Sequence, residues 1–256
     1  LIKYCKHKKI KFISTAFDTD GLDYLNNLGL EIFKIPSGEI TNYQYLKKLS
    51  SFGKPVILST GMSNLNEIKD ALNILCSGSI SIDDITILHC NTDYPTKFLD
   101  VNLNAMIDIK DNFNVNVGYS DHTLGIEVPI AAVALGAKVI EKHFTLDRNM
   151  KGPDHMASLE PKELIEMVKS IRNIELSING DGLKKPSKSE IKNLIIVRKS
   201  LHNSKTIRKG DLISNDVLIP LRPGDGISPM EIPNLIGKKF KKNIKSFTKL
   251  KFDDFE

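Results

Sequence analysis

Short apolar runs alternate with helical stripes along the first two thirds of the chain. KFIST at 11–15 predicts a strand, and 20–30 predicts a helix with Leu22, Leu25 and Leu28 on one face and Gly29 closing it. The same alternation predicts strands at 31–35, 54–59 and 85–90, each followed by a helix, at 42–52, 64–76 and 103–112. Val115, Val117 and Tyr119 mark a fifth strand, and Val139 and Ile140 a sixth. Between them 125–136 is apolar and Ala-rich, too long for a strand and therefore a helix. A long helix at 161–177 follows, with Leu164, Met167, Val168 and Ile171 in one stripe.

Six strand-then-helix units in succession imply a parallel sheet with right-handed crossovers. Two α/β architectures compete, a doubly wound open sheet and an eight-stranded barrel. No strand is followed by Gly-x-Gly-x-x-Gly, which weakens the dinucleotide-binding form. Polar residues stand at the end of every predicted strand: Thr15, Ser37 with Glu39, Ser59 with Thr60, Asn91 with Tyr94, Ser120 with His122, and His143. A polar ring at all strand tops is what a barrel site needs, whereas an open sheet gathers its site at one switch point. The expectation is a (β/α)8 TIM barrel over 1–178 that lacks its first two βα units.

After residue 178 the pattern changes. Residues 179–192 are polar and rich in Gly and Lys, as in a linker, and 193–256 reads as a small β-rich module. Its short β-like runs, 194–197 and 217–220, are divided by turns such as Arg222-Pro223-Gly224-Asp225-Gly226.

Charge sharpens this division. The net charge of +5 is uneven, with 17 Lys or Arg against 8 Asp or Glu from Lys184 onward. The basic tail lacks interleaved aromatic residues, so nucleic acid is not expected, and docking on an acidic neighbouring subunit is. The longest apolar run, 128–140, is broken by Lys138 and too short to span a bilayer, so no membrane role is expected. Three cysteines, Cys5, Cys76 and Cys90, without metal spacing fit a reducing cytoplasm. Leu1 is not an initiator methionine, and the opening residues read as the end of a helix, so the chain is expected to start inside a longer protein.

Candidate chemistry gathers at the strand tops. His122 and His143 end neighbouring parallel strands and could share one metal ion, or could be two hydrogen-bonded histidines at a rim. Lys34, at the end of a buried strand, needs a wet pocket or an anion. With Ser37, Gly38, Ser59, Thr60, Gly61 and Ser120 it forms a phosphate or carboxylate cradle, unless these Ser and Thr merely cap strand ends. Glu39 could be a general base or bind hydroxyls, or could be a carboxylate ahead of the next helix. His89 and Cys90 read as strand and core residues; His7, His155 and His202 read as surface. Asp154 reads as a turn residue, and Arg222 as an exposed turn arginine.

FISTAFD (12–18), FKIPSGEITN (33–42), GKPVILSTGM (53–62), LHCNTDYPT (88–96), GYSDHTLG (118–125), EKHFTLDRNMKGPDHMASLEP (141–161) and LRPGDGI (221–227) together resemble the sialic acid synthase family. Their order and spacing match over essentially the whole chain, and the last module is similar to that family's antifreeze-like (SAF) domain. The resemblance implies condensation of phosphoenolpyruvate with a 2-acetamido sugar, giving a 2-keto acid and phosphate. The main expectation is an N-acetylneuraminate synthase acting on N-acetylmannosamine; the alternative is an N,N'-diacetyllegionaminate synthase acting on a diacetamido sugar.

By the same resemblance His122 and His143 hold a divalent ion, usually Mn2+, with Mg2+ or Co2+ also accommodated. Thr15, Lys34, Ser37, Ser59 and Ser120 match positions that hold phosphoenolpyruvate. Phe17, Glu39, Tyr94 and Asp154 match positions around the sugar, and Glu39, His122, His143 and Lys34 form the catalytic set. Arg222 matches an arginine inserted into the partner's barrel, so a domain-swapped homodimer is implied. Departures are the missing glutamate, lysine and glutamine of the first family strands, and the order Asn91-Thr92. The HCNTDYPT and GPDHMASLEP versions look like those of legionaminic acid synthases. Other readings are a different phosphoenolpyruvate-condensing barrel, which lacks such a tail, and a non-catalytic carbohydrate-binding protein.

Overall fold

A computed structural model describes residues 1–256, which divide into two compact units, Leu1–Gly180 and Asp181–Glu256. The first is an α/β unit. A short helix α1 (Ile2–His7) is followed by α2 (Thr19–Asn27), β1 (Phe33–Ile35), α3 (Tyr43–Ser50), β2 (Val56–Ser59) and α4 (Leu65–Cys76). Then come β3 (Ile85–Cys90), α5 (Asn104–Phe113), β4 (Asn116–Asp121), α6 (Glu127–Ala134), β5 (Ile140–Lys142) and α7 (Pro161–Ile178). The five strands are parallel, in the order β1-β2-β3-β4-β5, and the sheet curls as part of a barrel.

Local chemistry sets the element ends. Asn64 accepts from the amides of Asn66 and Glu67, and Glu67 returns a bond to the Asn64 amide, which starts α4 with a capping box. Ile68, Ala71, Leu72 and Leu75 then fall on its buried face at helical spacing. Asn114 ends α5 at φ 50°, a left-handed position that asparagine tolerates better than most residues. Pro161 opens α7, where its missing N–H costs nothing.

Alternate strand residues are buried on the face that meets the helices, while Lys34, Ile57 and Thr86 on the other face are half-buried. Phe33, Ile35, Val56, Leu58, Ile85, Ile87, Val117 and Tyr119 join one core with the inner faces of α2 to α5. A smaller cluster of Val133, Leu159, Met167 and Ile171 seats α7 on α6. Gly118 is where this packing leaves no room. A Cβ there would strike the carbonyl oxygen of Val139 and stand 2.6 Å from Leu88 Cδ2. Gly118→Ala is therefore expected to lower stability by about 1–3 kcal/mol, as overpacking does. Urea unfolding should show this as a lower midpoint at unchanged slope.

Two sequence expectations are corrected. Residues 11–15 form no ladder with β1, so the predicted first strand is absent; Phe12 packs against the core from an irregular segment. A strand needs paired backbone groups, and its residues have none. Residues 194–197 belong to a helix, α8 (Ile191–Val197), closed by the Arg198 amide donating to Leu194 O. β-branched composition suggested a strand there, but the run has no strand partner and turns helical instead.

The second unit adds β6 (Ser200–Asn203) and β7 (Leu218–Leu221), an antiparallel pair, and a short α9 (Ile232–Leu235). Its core holds Leu201, Ile207, Ile213, Phe240, Leu250 and Phe255. Asn203 ties two loops, donating to Lys205 O in one and, in the other, donating to Lys245 O and accepting from the Thr248 amide. His202, expected at the surface, is buried because β6 is the core strand of this unit.

Candidate active site

The C-terminal ends of β1, β2, β4 and β5 bring together a polar cluster. Lys34, second residue of β1, turns its ammonium to Ser59 at the end of β2, donating to Ser59 Oγ at 2.8 Å and to Ile35 O at 3.1 Å. Its side chain is only 11% exposed, and burial pushes its pKa below the ordinary lysine value despite the nearby Glu141 carboxylate, 3.6 Å away. On β4, Ser120 Oγ donates to Glu141 Oε1 at 2.7 Å, across the register that pairs Ser120 with Glu141. Ser37, in the turn after β1, accepts from the Gly61 amide at 2.9 Å and lies 3.4 Å from Cys90 Sγ. Gly61 allows this approach, since a Cβ would stand 2.6 Å from Thr92 Cγ2 and 2.9 Å from Ser37 Oγ and one of these side chains would have to shift.

Next to this cradle stand the two histidines. His122 and His143 have ring centroids 5.2 Å apart and meet edge to face, and the Tyr94 ring lies 4.1 Å from His122 and 5.6 Å from His143. His122 is buried, its Nδ1 is 2.6 Å from Asn91 O, and its own carbonyl accepts from the Thr96 amide. The loop after β3 thus clasps the residue from both sides. A carbonyl partner requires Nδ1 to carry the proton, which leaves the Nε2 lone pair free. Burial lowers the His122 pKa below the ordinary imidazole value, favouring the neutral ring that a cation needs. His143 Nδ1 lies 3.7 Å from Asp154 Oδ2, which places Asp154 beside the pair rather than in an isolated turn.

This donor set fits a divalent cation held by two imidazoles. No group of three or more His, Cys, Asp or Glu side chains is arranged to hold a metal, so further ligands would come from water or substrate.

Other sequence candidates are placed differently. Glu39 Oε2 accepts from Asn42 Nδ2 at 2.6 Å, and Asn42 caps α3, so its bond runs to the helix start and not to the cluster. Thr15 is half-buried and Phe17 is exposed, on a segment anchored where Tyr45 Oη donates to Ala16 O at 2.9 Å. Arg222 belongs to the second unit, where its Nε donates to Val197 O. His89 behaves as the strand residue expected, with Nε2 2.8 Å from Val101 O, and Cys90 is buried. His155 is half-buried instead of free on the surface, its Nδ1 2.8 Å from Thr145 Oγ1.

Sequence reasoning missed Glu141 as a member of the cradle. The signal was there: Ser120-x-His122 and Glu141-x-His143 share a two-residue spacing on adjacent strands, which puts Glu141 beside Ser120.

Known proteins resemble this chain over most of its length. The N,N'-diacetyllegionaminic acid synthase of Campylobacter jejuni is 56% identical over 96% of this chain and 73% of its own length. That of Legionella pneumophila is 46% identical over 96% of this chain and 70% of its own. Among solved structures, the N-acetylneuraminic acid synthetase of Leptospira borgpetersenii superposes with a TM-score of 0.68 at 37% identity, covering 75% of this chain and 66% of that one. Residues 1–184 match the NeuB family, and with relatives this similar over most of their length, the chain belongs to that family.

Proposed function

We propose that the protein is an N,N'-diacetyllegionaminate synthase. It is a phosphoenolpyruvate-dependent, C–C bond-forming transferase that joins phosphoenolpyruvate to a diacetamido sugar. The observation that carries this reading is the anion cradle of Lys34, Ser59 and Ser120 beside the imidazole pair of His122 and His143, on strand ends of one sheet. The identity to two legionaminic acid synthases favours the diacetamido sugar over the N-acetylmannosamine first expected. Exposed Met62, Tyr94, Leu124 and Leu146, on the loops after β2, β3, β4 and β5, add apolar surface suited to extra acetamido methyl groups.

In this reading the Lys34 ammonium and the Ser59 and Ser120 hydroxyls bind the carboxylate and phosphate of phosphoenolpyruvate by charge-assisted hydrogen bonds. Carbon 3 of phosphoenolpyruvate bonds to the sugar aldehyde carbon, whose oxygen takes up a proton. Water adds its oxygen at carbon 2, and phosphate leaves with the C–O bond electrons as the keto group forms. His122 and His143 hold the divalent ion, for which manganese is proposed, and when bound it supplies Lewis-acid polarisation of the aldehyde. Tyr94 and Asp154 flank the imidazoles on the sugar side, with Phe17 and Glu39 assigned there by the family pattern. The second unit is taken as the antifreeze-like domain, and Arg222 as its contribution to a partner's site in a homodimer. No helix is long and apolar enough to cross a membrane.

The test is phosphate release from purified protein given Mn2+, phosphoenolpyruvate and each sugar in turn. The diacetamido sugar is expected to exceed N-acetylmannosamine in kcat/KM by about 10- to 200-fold, the range a small group in a pocket supplies. A reversed preference would overturn the sugar assignment, and no release with either would overturn the synthase reading.

A further inference from the structure

The chemistry of β4 and β5 uses alternate residues. Ser120 and His122, and likewise Glu141 and His143, serve the site, while Asp121 and Lys142 between them project to the other face of the sheet. There they pair directly: Lys142 Nζ is 2.5 Å from Asp121 Oδ2, with the two side chains 3% and 0% exposed. The ammonium also donates to Thr123 O, and Asp121 Oδ1 accepts from the Thr123 amide at 2.9 Å. One charge pair therefore fixes three things: the register of β4 against β5, the turn that follows β4, and the backbone on both sides of His122.

Burying two charges is costly, and such a pair is seldom more stabilising than apolar side chains of the same volume. Stability alone does not account for its place behind two imidazoles. We propose that Asp121 and Lys142 are positioning residues, whose buried ion pair sets the spacing and orientation of His122 and His143. This rests on the reading above only in naming the cation those rings would hold.

The experiment compares wild type, Asp121→Asn, and the double variant Asp121→Leu/Lys142→Met. The double variant removes both charges and leaves neither unpaired; Asp121→Asn keeps the acceptor for the Thr123 amide, and reports if the double variant fails to fold. Nitrogen-15 NMR of the imidazoles, in metal-free protein, reads whether His122 holds the single Nδ1–H tautomer that its bond to Asn91 O requires. Mn2+ titration followed by electron paramagnetic resonance reads the affinity. Folded variants are expected to show mixed His122 tautomers and to bind Mn2+ about 10- to 100-fold more weakly, as losses of supporting shells do. They should also lower kcat more than they raise the KM for phosphoenolpyruvate. A folded variant with the wild-type His122 tautomer and unchanged Mn2+ affinity overturns the proposal. Wild-type protein that binds no Mn2+ would instead overturn the metal assignment, and the tautomer measurement would still decide the positioning role.

Discussion

Alanine at His122 or at His143 is expected to reduce phosphate release by about three orders of magnitude, ~4 kcal/mol of transition-state stabilisation. The two rings are 5.2 Å apart and no third protein ligand supports them, so losing either leaves one imidazole, which cannot retain a divalent ion at working concentration. Calorimetric titration with Mn2+ should show binding in wild type and none in either variant, while circular dichroism shows the helices intact. His122→Ala also removes the clasp to Asn91 O, so the loop carrying Tyr94 should loosen in that variant and not in His143→Ala. Full turnover and unchanged Mn2+ affinity in either variant would refute the role given to the pair.

Lys34→Met should be nearly as damaging, but in a different constant. Its ammonium is the one cation of the cradle, nearly buried, bonded to Ser59 and close to Glu141. Methionine fills the volume and removes the charge, leaving the incoming anion with hydroxyls and the repulsion of Glu141. Truncating one member of a desolvated charge pair costs about 2–5 kcal/mol, so kcat/KM for phosphoenolpyruvate should fall by about 30- to 5,000-fold. Affinity for the sugar should hardly move; a variant that loses sugar affinity alone would place Lys34 elsewhere in the reaction. Burial lowers the Lys34 pKa, and the charged form is the one that binds an anion. Affinity for phosphoenolpyruvate should then decline as pH rises through that lowered value, earlier than for an exposed lysine. The stability effect has the opposite sense: the unfolded chain holds the proton more tightly, so the fold gains stability as pH rises through the same window.

Much of this was legible from the chain because the signals were periodic or chemical. Ile68, Leu72 and Leu75 marked α4 at helical spacing, and the apolar runs at 54–59 and 85–90 became β2 and β3. Lys34, Ser59, Ser120 and the two histidines were visible as polar residues ending apolar runs, which is where a parallel sheet delivers its site. What escaped needed partners to define it. Residues 11–15 had strand composition but no ladder, and Ile195, Ile196 and Val197 had β-branched composition in a helix. Glu39 was visible as a carboxylate ahead of α3, and its bond to Asn42, the residue that caps that helix, needed the fold to define it. Asp121 and Lys142 carry no signal of their own in the sequence; only the register places them against each other, out of water.

That register has a consequence for how the protein can vary. Side chains on β4 and β5 switch faces at every residue, so inserting or deleting one residue within either strand would exchange the site set for the scaffold set. Asp121 would then point where His122 should, and the charge pair would lose its partner. The connections differ: residues 97–102 and 146–153, clear of Asn91, Tyr94, Thr96, His143 and Asp154, lie beyond the strand ends and can change without disturbing that alternation. Descendants of this chain are thus free to acquire new sugars through their loops, while length changes inside two short strands are closed to them.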